Sequence, residues 1–85
     1  MKNKVTVEQI NDILDRSEID VKTIFDKVTV VTCKLPNGFA LVESSGAVDK
    51  KNYDLEMGKQ VCMKKITDEI WKLEGYSLAN ELFKH

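Results

Sequence analysis

Two cysteines, one histidine, a few neighbouring carboxylates and a run of lysines are the side chains of this 85-residue chain that could do chemistry. Cys33 and Cys62 sit in apolar segments, and the only histidine, His85, is the last residue. A nucleophilic thiol needs a positioned base and a group to orient that base. An imidazole at a chain end, where order is lost first, serves that role poorly. The thiols therefore read as buried, reduced, structural groups rather than as a disulfide. A structural zinc site needs about four ligands, and this spacing offers none. Asp12/Asp15, Asp54/Glu56 and Asp68/Glu69 fall on faces that read as solvated and lack an aromatic lining. General acid–base work needs carboxyls of shifted pKa in a cleft. The expectation is a protein that is not an enzyme and needs no cofactor.

Binding chemistry has more material. Ser44-Ser45-Gly46-Ala47 precedes a helix, and helix N-termini attract anions. The stretch lacks the glycine spacing and Lys-Ser/Thr of a phosphate-binding P-loop. Lys50, Lys51, Lys59, Lys64 and Lys65 form a local basic cluster, whose plain reading is a solvated helix face. The candidate ligand set is Asn37, Phe39, Ser45, Lys50, Lys51, Asn52 and Tyr53, which together offer stacking, hydrogen bonds and phosphate contacts. The net charge of −1, from 13 basic and 14 acidic residues, lacks the basic excess of a general nucleic-acid binder.

These residues must be positioned by one small domain, residues 1–85. Thr6-Val7-Glu8-Gln9 fits a capping box, and Val7, Ile10, Ile13 and Leu14 recur at helical spacing, so a helix is predicted over 7–16. Ser17 opens a short segment in which Ile19, Val21, Ile24 and Phe25 suit either a helical turn or an extended chain. Val28 to Leu35 is rich in β-branched residues and reads as a strand. Its Thr29, Val31, Cys33 and Leu35 share one face. Pro36-Asn37-Gly38 is a turn, and Phe39 to Ser44 returns as the second strand of a hairpin.

A long helix follows, capped by Asp49 or Asn52, with Tyr53, Met57, Val61, Ile66, Ile70 and Leu73 along one side. Lys64–Asp68, Lys65–Glu69 and Asp68–Lys72 are opposite charges four residues apart. Gly58, inside this helix, suggests a close approach by another backbone. Trp71-Lys72-Leu73-Glu74-Gly75-Tyr76 reads as a helix stop: Gly75 left-handed, Tyr76 packed back, Trp71 over the hairpin, and Ser77 capping a last turn. The fold class is α+β: an N-terminal helix, one β-hairpin packed on a long C-terminal helix, and a short final helical turn. A lone hairpin is marginal in water. Pairing two across a two-fold axis into a four-stranded sheet would cover its edges, so a homodimer or higher homo-oligomer is expected. No apolar run has the length of a signal peptide or a membrane span, which reads as a soluble, intracellular protein.

The stretch from Lys22 to Leu78 resembles a small family of tailed-phage and prophage proteins, with founding members in the N-four coliphage and a Shigella phage. The resemblance rests on Thr29-Val30-Val31-Thr32, Asn37-Gly38-Phe39, Ser44-Ser45 and Val48-Asp49. It continues through Asn52-Tyr53-Asp54, Gly58, Ile70-Trp71, Leu73-Glu74-Gly75-Tyr76 and Leu78. The chain departs from the pattern at Gly46 and Lys50. The resemblance implies a phage or prophage origin and action in the bacterial host cytoplasm, and it supplies no catalytic residue. The leading expectation is a non-enzymatic accessory protein that binds a host or anti-phage-defence component. The alternative is an oligomeric sponge that sequesters a signalling nucleotide made by a defence system. A nucleic-acid binder using the lysines of the long helix ranks third.

Overall fold

The densest β-branched run of the chain becomes the centre of a sheet. A computed structural model describes residues 3–84, which places His85 outside the described residues. The order is α1 (Val7–Asp15), β1 (Glu18–Ile24), β2 (Val28–Lys34), β3 (Ala40–Gly46), a 3-10 turn (Lys50–Asn52) and α2 (Leu55–Phe83). The α+β class stands. The sheet has three antiparallel strands in the order β1-β2-β3 rather than one hairpin. The segment after Ser17 is β1, because Glu18 to Ile24 pairs along its whole length with β2, from Glu18 opposite Lys34 to Ile24 opposite Val28. Ladder bonding to β2 decides between two conformations that local propensity leaves nearly equal.

On β2, Thr29, Val31 and Cys33 are buried, Leu35 follows them, and the residues between are half-buried or exposed. One face of the sheet therefore meets α2. The core joins Ile10 of α1, Val31, Cys33 and Leu35, and Cys62, Ile66 and Ile70 of α2. Val5, Ile13, Leu14, Val21, Leu41, Met63, Trp71 and Leu73 pack around it. Gly38, at φ 93°, closes the β2–β3 turn, with its N–H donating to the Leu35 carbonyl at 2.8 Å.

The caps differ in part from expectation. Thr6 accepts from the Gln9 N–H at 3.2 Å, as the capping box requires, but the Gln9 amide donates to Glu74 Oε1 at 3.3 Å and ties α1 to α2. Asp49 caps the 3-10 turn, and Asp54, not Asp49 or Asn52, caps α2 by accepting from the Met57 N–H at 3.2 Å. The helix stop at Gly75 and the separate final turn do not occur. α2 runs unbroken through Gly75, Tyr76 and Ser77 to Phe83, and Tyr76 is 72% exposed. A helix tolerates an interior glycine at modest cost when enough neighbouring turns hold it. Lys64 pairs with Asp68 at 3.3 Å as expected, whereas Lys72 turns back to Glu69 at 3.3 Å and Lys65 donates to the Ser44 carbonyl at 3.0 Å.

Candidate functional site

The seven candidate ligand residues lie at two places, not one. Asn37 and Phe39 belong to the β2–β3 turn and line a cleft of about 570 Å³ that also involves Ile13, Arg16, Leu73 and Glu74. Three of its polar residues are engaged locally. Asn37 Oδ1 accepts from the Phe39 N–H at 3.0 Å, Arg16 pairs with Asp12 at 3.0 Å, and Glu74 holds Gln9. Ser45, Asn52 and Tyr53 line a second cleft of about 270 Å³ with Met57, Gly58 and Val61. Lys50 and Lys51 sit on the adjoining 3-10 turn, exposed.

Tyr53 is the fastening point of this second region. Its hydroxyl lies 2.7 Å from Thr23 Oγ1 and 2.9 Å from Thr29 Oγ1. It therefore ties the start of α2 to β1 and β2. Directly below, Gly58 lies against Thr29, so closely that an added Cβ would stand 2.3 Å from the Thr29 hydroxyl oxygen and 2.8 Å from its Cβ. Cys62 completes the layer one turn on, its Sγ 3.8 Å from the Thr29 carbonyl. Burial pushes the Cys62 thiol above its ordinary pKa, against the pull of the Lys65 ammonium. A buried, protonated thiol is inert. Four of the six carboxylates singled out for acid–base work are in structural use: Asp12 pairs with Arg16, Asp54 caps α2, Asp68 pairs with Lys64 and Glu69 with Lys72.

A family of phage proteins, the N4 Gp49/phage Sf6 gene 66 family, matches over residues 3–82. The chain belongs to that family. Comparison with curated proteins and with solved structures gave no match. Several positions that carry the family resemblance have structural work in this member of the N4 Gp49/Sf6 gene 66 family. Thr29, Tyr53 and Gly58 form the layer under α2, Asp49 and Asp54 are caps, and Asn37-Gly38 is the turn. Among the described residues, no helix is long and apolar enough to cross a membrane, and no group of three or more His, Cys, Asp or Glu could hold a metal.

One group of exposed apolar residues lies at a place the candidate set does not include. Between β1 and β2, Phe25 and Asp26 both have positive φ, 57° and 56°, and the Lys27 N–H donates to the Ile24 carbonyl at 3.2 Å. Two left-handed residues inside such a bond are the signature of a type I′ turn, where Asn-Gly is preferred. Phe25 is 80% exposed there. The Ala47 N–H donates to the Lys27 carbonyl at 2.8 Å, which brings the chain after β3 to the same end of the sheet. The next residue, Val48, is 95% exposed, and Ile24 is 40% exposed beside them. Phe25, Ile24 and Val48 thus form an apolar tip. Alternation over Ile19, Val21 and Thr23 is the available sequence signal for β1. The turn is hidden because Phe-Asp is not a dipeptide that announces left-handed backbone.

Proposed function

We propose that this phage protein is a non-enzymatic accessory protein. In this reading it works in the host cytoplasm by binding a protein of the host or of its anti-phage defence through the apolar tip around Phe25. One observation carries the reading: a large aromatic side chain is presented to solvent from a backbone conformation that disfavours it. A non-glycine residue with positive φ gives up roughly 1–2 kcal/mol, and strain of this kind concentrates at binding and switch positions. Aromatic residues standing out from a rigid support are the usual anchors of protein interfaces. The test is affinity capture from infected cells with wild type and Phe25→Asn, followed by Kd measurement with the purified partner. Loss of an anchor should weaken binding by at least about thirty-fold, the equivalent of roughly 2 kcal/mol. Equal binding by the variant, or enzymatic turnover by the purified protein, overturns the reading.

A second reading, the nucleotide sponge, is favoured by the cleft of about 270 Å³ that gathers Ser45, Asn52 and Tyr53 beside Lys50 and Lys51. Calorimetry with cyclic dinucleotides, cyclic trinucleotides and cyclic ADP-ribose variants tests it. Absence of heat with all of them removes it.

A further inference from the structure

We propose that β1 pairs antiparallel with β1 of a second copy across a two-fold axis through Val21, joining two three-stranded sheets into one of six strands. Backbone groups along each strand point alternately to its two neighbours. Odd-numbered residues of β2 bond toward β3, because Leu35 N–H meets the Phe39 carbonyl and Ala47 N–H meets the Lys27 carbonyl. The even-numbered residues of β2 therefore bond toward β1, and their partners are the even residues Glu18, Asp20, Lys22 and Ile24. That leaves the N–H and C=O groups of Ile19, Val21 and Thr23 pointing away from the sheet. Every residue of β1 except Val21 is exposed, and its only strand neighbour among the described residues is β2. An edge of this kind is a template for another strand.

The two edges of the sheet are not equivalent. On β3 the outward residues are Ala40, Val42, Ser44 and Gly46, and the Lys65 ammonium covers the Ser44 carbonyl at 3.0 Å. A lysine over an edge carbonyl blocks strand addition there. Among the described residues, no side chain donates to a β1 carbonyl in this way.

The side chains of β1 select both the partner and the register. With Val21 opposite its own copy, Ile19 stands opposite Thr23 of the second chain, and these pairs exchange about six backbone hydrogen bonds. On the helix side, the Ile19 and Val21 side chains of the two copies form one continuous β-branched stripe. On the other side, Asp20 stands opposite Lys22 of the second chain, twice by symmetry, in the closely spaced pair type where opposite charges attract. Within one chain Asp20 and Lys22 are 3.8 Å apart and well exposed, free to exchange partners. A shift of the axis by one residue in either direction sets Asp20 against Asp20 or Lys22 against Lys22, which like-charge repulsion disfavours. The strand is self-complementary in one register only.

Sedimentation equilibrium on the full-length protein tests this, with circular dichroism to confirm folding of each variant. The wild type is expected to associate at micromolar concentration. Asp20→Lys and Lys22→Asp, each a substitution on an exposed face, should each weaken association at least about ten-fold. The double variant Asp20→Lys/Lys22→Asp should restore it. A wild type that stays monomeric at 100 micromolar, taken as roughly the upper end of weak affinities, overturns the proposal. So does an oligomer that neither single reversal weakens, or a double variant that fails to recover.

Discussion

At Gly58 and Gly75 the same residue type has opposite consequences. Gly58 is buried where α2 crosses β2, and its missing Cβ is the space that the Thr29 hydroxyl occupies. Thr29 is 0% exposed and held by Tyr53, so it has no direction in which to yield. Gly58→Ala should destabilise the fold by about 3 kcal/mol, the upper range for overpacking a fixed site. Gly75 is exposed, helical, and has nothing within 4 Å of where a Cβ would go. Gly75→Ala should therefore stabilise by up to about 1 kcal/mol, the helix-propensity difference. Urea midpoints of the two variants, measured together, check both signs. A stabilised Gly58→Ala or a destabilised Gly75→Ala would contradict the packing described. Gly58 is legible in the sequence as a close approach, because a glycine amid apolar helical neighbours sacrifices about 1 kcal/mol of propensity unless a neighbour needs the space. The neighbour is the Thr29 side chain, however, and not the backbone expected. Gly75 is not legible in the same way. A glycine followed by an aromatic looks like a Schellman-type ending, and only the length of helix beyond it shows otherwise.

The elements are legible where one preference dominates and obscure where two compete. β2 and the Pro36-Asn37-Gly38 turn follow directly from β-branched density and turn chemistry. α1 follows from its capping box and spacing. β1 has both a cap-like Ser17 and an alternating pattern, and the ladder with β2 settles it. The candidate site has the same gap. Residue chemistry groups Asn37 and Phe39 with Ser45, Asn52 and Tyr53 as if the hairpin brought them together, whereas β3 separates them by its full length. Without β1, the turn that presents Phe25 stays hidden as well. That turn carries a prediction of its own. Phe25→Asn with Asp26→Gly gives the type I′ turn the residues it favours. Relief of two left-handed positions should raise stability by roughly 1–3 kcal/mol, read as a higher urea midpoint with unchanged slope. The same double variant should lose the partner that binds the tip. A gain in stability with a loss of binding separates a functional Phe25 from a structural one.

At the scale of the whole molecule the shape is set by one element. The extents are 54 × 20 × 19 Å, and α2 with its 29 residues accounts for the long axis, at about 1.5 Å per residue or roughly 44 Å. Seven-residue strands reach only about 23 Å, so the helix outruns the sheet by about 20 Å. α1 covers part of the excess, through Gln9 on Glu74 and Ile10 in the core. Beyond Leu78 nothing of the sheet or α1 remains to bury the helix, and Phe83 is 91% exposed. Stability should therefore be graded along α2. The segment from Cys62 to Ile70, buried at every turn, should exchange its amide protons only with global unfolding, and the segment after Ala79 should exchange by local fraying. Deletion of residues 80–85 should change stability by less than about 0.5 kcal/mol, the range of substitutions away from packed sites. Ile66→Ala, by contrast, removes a fully buried side chain and should cost about 2–5 kcal/mol. Hydrogen exchange on the intact chain and urea unfolding of the two variants read the gradient independently. If deletion of the overhang proved as damaging as Ile66→Ala, the end of α2 would have to be packed against something the single chain does not contain. Exposed Leu82 and Phe83 would then be buried by a second molecule rather than left in water.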